Sequence, residues 1–410
     1  MSGLKLTGPF RQVLPMDKLP LRGPIMDEDL QIITEAGILT DGEKIIAVDD
    51  FKALRLGYPD AIVQETAEDL VVVPGFIDAH THICFAGSRA GDYAKRNAGK
   101  SYQEIAQAGG GIWDTVTKTR AVSLEELIAS LSERASRHLT EGVTTCEVKS
   151  GYGLDVRNEL KMLSAIKEVS AGHAIDLVSS CLAAHIKPRD FEGSNREYLD
   201  MLLVDLLPKI QDQDLTHRVD IFIEENAFSP GEGLYYLKAV KKLGFDLTVH
   251  ADQFSTGGSE TAIKAGAMSA DHLEASSDQE ITLLSKSNVF AAALPGASLG
   301  LGEPFAPARK LLDAGCGLVI ASDWNPGSAP MGDLLMLAAI LGAAQKLTAA
   351  EIFSGLTFRA AAALGLKDRG LLCKGSLADW AAFPTTDYRE ILYHQGKMKP
   401  VRIWKRGQEV

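Results

Sequence analysis

The chain has 410 residues, 46% of them hydrophobic and 23% charged, so it can bury a large core and is not disordered. Its formal net charge of −12, with no Lys/Arg run, argues against nucleic acid as a partner. The five scattered cysteines include no C-x-x-C pair, residues 1–25 show no basic-then-apolar leader, and no apolar run reaches about 18 residues; these argue against a disulfide framework, secretion and a membrane span, and for a reducing cytoplasm.

The first 70 or so residues read as short strands and turns. "EKIIAVDD" and "DLVVVPG" are β-rich, and Pro20, Gly23 and Pro24 punctuate the segment. The middle alternates strand-like and helix-like stretches, which predicts βα units and a parallel sheet. Strand candidates fall at 76–82, 143–148, 176–183, 219–224, 246–250, 268–272, 288–294 and 318–323. Several are near-continuous apolar runs, as expected of strands covered on both faces. Ser123 with Glu126, and Thr348 with Glu351, form capping boxes that open helices. Gly244 and Gly315 read as helix-ending glycines. From Gly370 the chain is β-rich again, in "SLADWAAF" and "PVRIWKRGQ". The expected fold class is α/β: a (β/α)8 TIM-like barrel over 74–369, with 1–73 and 370–410 pairing into a small β-sandwich domain.

In such a barrel the chemistry sits at the C-terminal ends of the strands. Those ends carry, in order, Asp78, His80 and His82; Glu147 and Lys149, with Tyr152 beyond; His185; Glu224 and Glu225; His250; Asp271 and His272; and Asp323. Five of the nine histidines are therefore at one face, and His138, His173, His217 and His394 are elsewhere. That concentration indicates a polar active site in an apolar setting. In "HTH", His80 and His82 stand two residues apart on a strand and point to the same side. Both imidazoles can reach one metal at about 2.0–2.1 Å. H-x-H alone is weak, but after an apolar run and "PGFID" it is much more specific. His250 and Asp323, each ending an apolar strand, are the best further ligands. Such a set leaves a position for water, whose pKa a metal lowers toward neutrality. His272 in "SADHL" reads as a ligand, a general base or a hydrogen-bonded core histidine.

The strings "PGFIDAHTHICFAGSR", "GKSYQEIAQAGGGI", "GVTTCEVKSGYGL", "AAHIKP", "HADQF", "SADHLE", "APARKLLDAG" and "SDWNPGSAP" stand in order along nearly the whole chain. By them the chain resembles the imidazolonepropionase family of the amidohydrolase superfamily. The resemblance implies a metal-dependent hydrolase of histidine degradation, opening the cyclic amide of 4-imidazolone-5-propanoate to give N-formimidoyl-L-glutamate. It implies that His80, His82, His250 and Asp323 hold one zinc or iron ion per subunit. Arg89, Tyr152 and His185 would contact the substrate and its propionate. Gln253 would stand at a substrate-contacting position that is Glu in many relatives, Asn325, Gly327 and Ser328 would hold the ring and the product, and His272 would transfer protons. A homodimer is implied as well.

Two departures matter. Gln253 cannot act as a base, so proton abstraction falls to His272 and Asp323. The segment after Ser328, "APMGDLLMLAAILGAAQKL", differs from the family's better-known form and leaves the pocket rim open. Lys149 suggests the carbamylated lysine of two-metal relatives, yet it ends the second strand while the fourth ends in Glu224 and Glu225, which favours one metal. Each contact also has an ordinary reading: a surface salt bridge for Arg89, a packed loop aromatic for Tyr152, turn chemistry for "NPGS". The rival functions are another amidohydrolase acting on a heterocycle, as a deaminase or cyclic amidase, and a non-catalytic scaffold. The complete ligand set disfavours the scaffold.

Overall fold

The computed structural model describes residues 3–100, 104–105 and 109–410. Parts of "GKSYQEIAQAGGGI", at 101–103 and 106–108, lie outside the described residues. The N-terminal segment contributes β1 (Leu4–Val13), β2 (Ile33–Asp41), β3 (Lys44–Asp50), β4 (Ile62–Glu65) and β5 (Val71–Pro74). Then come β6 (Phe76–Asp78), β7 (Val143–Lys149), β8 (Asp176–Ala184), β9 (Arg218–Ile221), β10 (Asp246–Ala251), β11 (Ser269–His272), β12 (Phe290–Ala293) and β13 (Leu318–Ile320). The chain ends with β14 (Trp380–Phe383), β15 (Arg402–Lys405) and β16 (Gln408–Glu409).

Strands β6 to β13 form one parallel sheet in sequence order, the (β/α)8 barrel expected from the alternation of strands and helices. β7 and β12 are buried at every position, which is why their sequences run apolar without alternation. The first and last strands are shorter than expected because the chain changes partners at their ends. Past Asp78, the backbone of His80 accepts from Asp323 N at 3.0 Å, His82 N donates to Trp324 O at 2.9 Å, and Lys149 N donates to Thr81 O at 3.0 Å. A parallel bridge between Thr81 and Trp324 thus joins the first strand to the eighth.

The helices between the strands start where the capping boxes predict. Glu126 N donates to Ser123 Oγ at 3.2 Å while Ser123 N donates to Glu126 Oε2 at 2.8 Å. Thr348 and Glu351 do the same. Each such cap contributes about 1 kcal/mol. Gly244 and Gly315 lie just past helix ends at φ 90° and 96°, a region costly for residues with a Cβ.

The two terminal segments meet in a second sheet, in the order β16-β15-β14-β5-β1-β2-β3, with β4 on β1. Its centre is the antiparallel pair β5–β14, in which Trp380 faces Pro74 and Phe383 faces Val71. Side chains alternate across it. Val71, Val73, Ala381 and Phe383 join the barrel's core, while Val72, Trp380, Ala382 and Trp404 form the sheet's own. Among the described residues, no helix is long and apolar enough to cross a membrane.

Candidate active site

The seam between first and eighth strands places His80 and His82 beside Asp323, and β10 brings His250 against them. The Nε2 atoms of His80 and His82 are 3.2 Å apart, as are those of His250 and His82. Asp323 Oδ1 lies 3.3 Å from His82 Nε2 and 3.6 Å from His80 Nε2. Behind the rings, His80 Nδ1 meets Asp271 Oδ2 at 2.7 Å and His250 Nδ1 meets Asp220 Oδ2 at 2.9 Å. Those carboxylates draw the protons to Nδ1, so the Nε2 lone pairs of His80 and His250 point at a common centre. His82 Nδ1 meets no hydrogen-bond partner among the described residues. Nothing fixes the His82 proton on one nitrogen; with it on Nδ1, three buried lone pairs converge, and a cation would relieve their repulsion. Burial lowers all three pKa values, His82 and His250 to about 3, so the rings are neutral as ligation requires. The donor set therefore fits a metal ion, as the three histidines' mutual distances under 4.8 Å also indicate.

Beneath this triad lies a buried charged layer. Lys149 Nζ sits 2.8 Å from both Glu147 Oε2 and Asp220 Oδ2 and 3.9 Å from Asp271 Oδ2. Lys149 is thus committed to ion pairs, not carbamylation. Asp220 is a site residue that reading the strand ends misses, since it sits mid-strand in β9. Its only sequence signal is a carboxylate in an otherwise apolar stretch, "RVDIFI".

Above the triad a cavity of about 740 Å³ opens at the C-terminal face of the barrel. Of the expected metal-binding, substrate-binding and catalytic residues, all line it except His80 and Gly327, while the strand-end residues Asp78, Glu147, Lys149 and Asp271 lie outside its lining. Gly327 packs behind Arg89, where an added Cβ would come within 2.2 Å of Nη1. Asp92 Oδ2 accepts from Arg89 Nε at 3.1 Å and from Gly111 N at 2.9 Å, so the guanidinium is fixed along one edge. His185 Nδ1 donates to Gly151 O at 3.0 Å, because a carbonyl can only accept. Its Nε2 is then an acceptor, and burial lowers its pKa to about 3. Asn325 holds its own turn, accepting from Gly327 N (2.7 Å) and Ser328 N (2.8 Å) and donating to Asp323 Oδ2 at 3.0 Å. His272 Nδ1 lies 3.4 Å from Glu274 Oε2. Burial lowers the His272 pKa, but the Glu274 carboxylate outweighs it and holds the ring above its ordinary value.

The backbone here is strained. His272, Leu273 and Asp323 have φ of 91°, 73° and 53°. Such conformations cost of order 1–3 kcal/mol each in non-glycine residues and persist where surrounding structure enforces them. Leu273 N donates to Ala251 O at 3.0 Å and Ala275 N to Asp252 O at 2.8 Å, which tie this bend to β10. Arg96, Trp113 and Arg189 also line the cavity but sit on a helix or loop, where no strand-end pattern marks them.

The profile of the amidohydrolase family matches residues 71–410. An imidazolonepropionase from Bdellovibrio bacteriovorus is 37% identical over 390 residues, covering 94% of this chain and 91% of that protein. One from Bacillus cytotoxicus is 40% identical over 343 residues, covering 83% and 81%. Among solved structures, guanine deaminase from C. acetobutylicum superposes with a TM-score of 0.72 at 15% identity, covering 99% of this chain and 100% of that one. A zinc-bound adenosine deaminase from Xanthomonas campestris does so with 0.70 at 17%, covering 98% and 92%. At such identities the structural likeness shows the fold alone, whereas the sequence relatives match over most of the chain. The chain belongs to the imidazolonepropionase family of the amidohydrolases.

Proposed function

We propose that the chain hydrolyses the cyclic amide of 4-imidazolone-5-propanoate to N-formimidoyl-L-glutamate, with His80, His82, His250 and Asp323 holding one zinc or iron ion. The carrying observation is the convergence of three neutral imidazoles and one carboxylate at the floor of a cavity that Arg89 also lines. Both metals accept imidazole and carboxylate donors. When bound, a divalent ion lowers the pKa of water toward neutrality and polarises a carbonyl oxygen.

The chain's own residues do the rest. Asp92 fixes the Nε edge of Arg89, so the Nη groups can meet the propionate carboxylate. His185 keeps its Nδ1 proton on the Gly151 carbonyl. A substrate N–H can donate to its Nε2, whereas a carboxylate placed there binds with uptake of one proton. Tyr152, Gln253 and the turn of Asn325, Gly327 and Ser328 close around the ring and orient its carbonyl. His272, with Nδ1 directed at Glu274, presents Nε2 as the acceptor for the attacking water's proton and returns it to the leaving ring nitrogen. Asp323 shares that proton, and Asn325 steadies its second oxygen. Five free cysteines, four of them buried, suit a reducing cytoplasm.

The test is turnover of freshly generated imidazolonepropionate by metal-replete protein, followed by loss of substrate absorbance and by the mass of the product. Formation of N-formimidoylglutamate is expected. No turnover of this substrate, with turnover of a purine or a hydantoin instead, would overturn the reading. His250→Ala is expected to lose both bound metal and activity, and a variant retaining both would remove His250 from the ligand set.

A further inference from the structure

We propose that Glu159 is a positioning residue for substrate binding: its buried carboxylate folds residues 150–154 around itself, and thereby sets Tyr152 and fixes which nitrogen of His185 carries the proton. The inference rests on the reading of the cavity as the seat of a small anionic heterocycle.

Glu159 lies one turn into the helix Val156–Gly172, which Asp155 caps through Asn158 N at 2.8 Å. Its side chain leans back over the loop that precedes the helix and is completely buried. It accepts from the amides of Gly153 and Leu154 at 2.8 Å each, and from that of Gly151 at 3.2 Å to either oxygen. The Ser150 hydroxyl completes the set. Among the described residues no Lys, Arg or His forms an ion pair with it. A buried carboxylate costs far more than an apolar side chain of the same volume unless its hydrogen bonds are met. Here backbone amides meet them, as in the concave amide arrangements that hold anions. The dependence runs both ways. Ser150 N still donates to Ser180 O of β8 at 3.0 Å, and the loop then reverses at Gly151 (φ 99°) and Leu154 (φ 54°), which turns the amides of Gly151, Gly153 and Leu154 inward to the carboxylate. Gly153 approaches so closely that a Cβ there would lie 2.5 Å from Glu159 N.

Two substrate-facing features hang on that loop. The Tyr152 ring is held 5.6 Å from the His185 ring and 6.1 Å from that of His82. The carbonyl of Gly151, whose amide is anchored on Glu159, is the acceptor for His185 Nδ1. Glu159 touches neither substrate nor metal ligand, so its loss should be felt in binding and not in the chemical step or in metal content.

The experiment compares full-length, metal-loaded Glu159→Gln and Glu159→Ala with the parent protein. Metal content, melting temperature, kcat and KM are measured, with the ring nitrogen shifts of ¹⁵N-labelled His185. Glu159→Gln keeps an oxygen for Gly153 and Leu154 but turns a donor toward Gly151. It is expected to raise KM about tenfold, with kcat within about threefold and metal unchanged. The His185 shifts should move away from a pure Nδ1–H tautomer. Glu159→Ala should raise KM further, and if it fails to fold the glutamine variant decides. A folded Glu159→Gln protein with parental KM and parental His185 shifts overturns the proposal, as does loss of metal or a fall confined to kcat. Should the parent protein itself not turn over imidazolonepropionate, the functional reading fails, and the His185 shifts alone then judge the role of Glu159.

Discussion

At the scale of single residues, burial without exposure of charge is the recurring device. Arg89 is 8% exposed and tied to Asp92, so its free edge is presented already oriented and already partly desolvated. Arg89→Ala should raise KM about 100-fold and leave kcat and metal content nearly unchanged, as initial-rate kinetics would read, because the proposed bidentate contact would serve ground state and transition state alike. Glu274 plays a different part. It raises the His272 pKa; with His272 as the proposed base, which must be unprotonated to act, activity is expected to fall on the acid side as it gains its proton. Glu274→Gln removes the raising charge and leaves the lowering effect of burial. The acid limb of the kcat/KM profile should therefore move to lower pH, with a plateau reduced roughly tenfold by loss of basicity and orientation. A limb that stayed in place would separate Glu274 from the base. The three histidines that converge at the cavity floor are legible in the sequence because a period of two and an apolar run betray them. Asp220 leaves only the weak mark of a carboxylate inside an apolar stretch, and Glu159 leaves none, since nothing local distinguishes a carboxylate that anchors a loop from one that faces solvent.

At the scale of elements, legibility followed the strength of local physics. Strands buried on both faces leave long apolar runs, and capping boxes satisfy amides within four residues, so both were readable from adjacent letters. β6, β9 and β13 end earlier than their apolar runs predict, because there the backbone leaves one neighbour for another: Ser322 N turns to Asp78, 244 positions away, and Phe222 N and Ile223 N turn to Ala184 O and His250 O. In the turn after β13, Asn325 and Ser328 line the cavity, while Gly327 serves it from behind. Gly327 is needed as glycine because Arg89 occupies the space a side chain would take. Gly327→Ala should push the guanidinium aside and raise KM by about tenfold, while thermal denaturation shows a melting temperature close to the parent's, since the turn's hydrogen bonds to Asn325 survive.

At the scale of the whole molecule, the barrel and the terminal sheet are joined by charge as well as by their shared core. Asp176, at the start of β8, pairs with Lys405 Nζ at 2.8 Å, with Arg406 Nη2 at 3.1 Å and with Arg369, and Lys405 reaches Asp379 at 2.5 Å. Burial works to raise the Asp176 pKa, but Lys405 and its fellow cations prevail and hold it below the ordinary value. A depressed carboxyl contributes stability that is complete above its unfolded value of about 3.9 and is lost as pH falls through the lower folded value. Asp176→Asn should cost about 3 kcal/mol near neutrality in denaturant unfolding and flatten the acid side of the stability curve. An unchanged midpoint at pH 7 would show that the cluster adds nothing beyond solvation.

The bridge between Thr81 and Trp324 carries a last implication. The eight-stranded cylinder is zipped shut by few backbone bonds, and the proposed ligands stand on both sides of that closure, with His250 opposite. An ion gripping all of them would act as a rivet across the weakest line of the wall, so its binding energy would appear as mechanical integrity of the barrel. Stripping it with a chelator should speed amide exchange first at residues 80–82 and 323–324, well before the helices loosen.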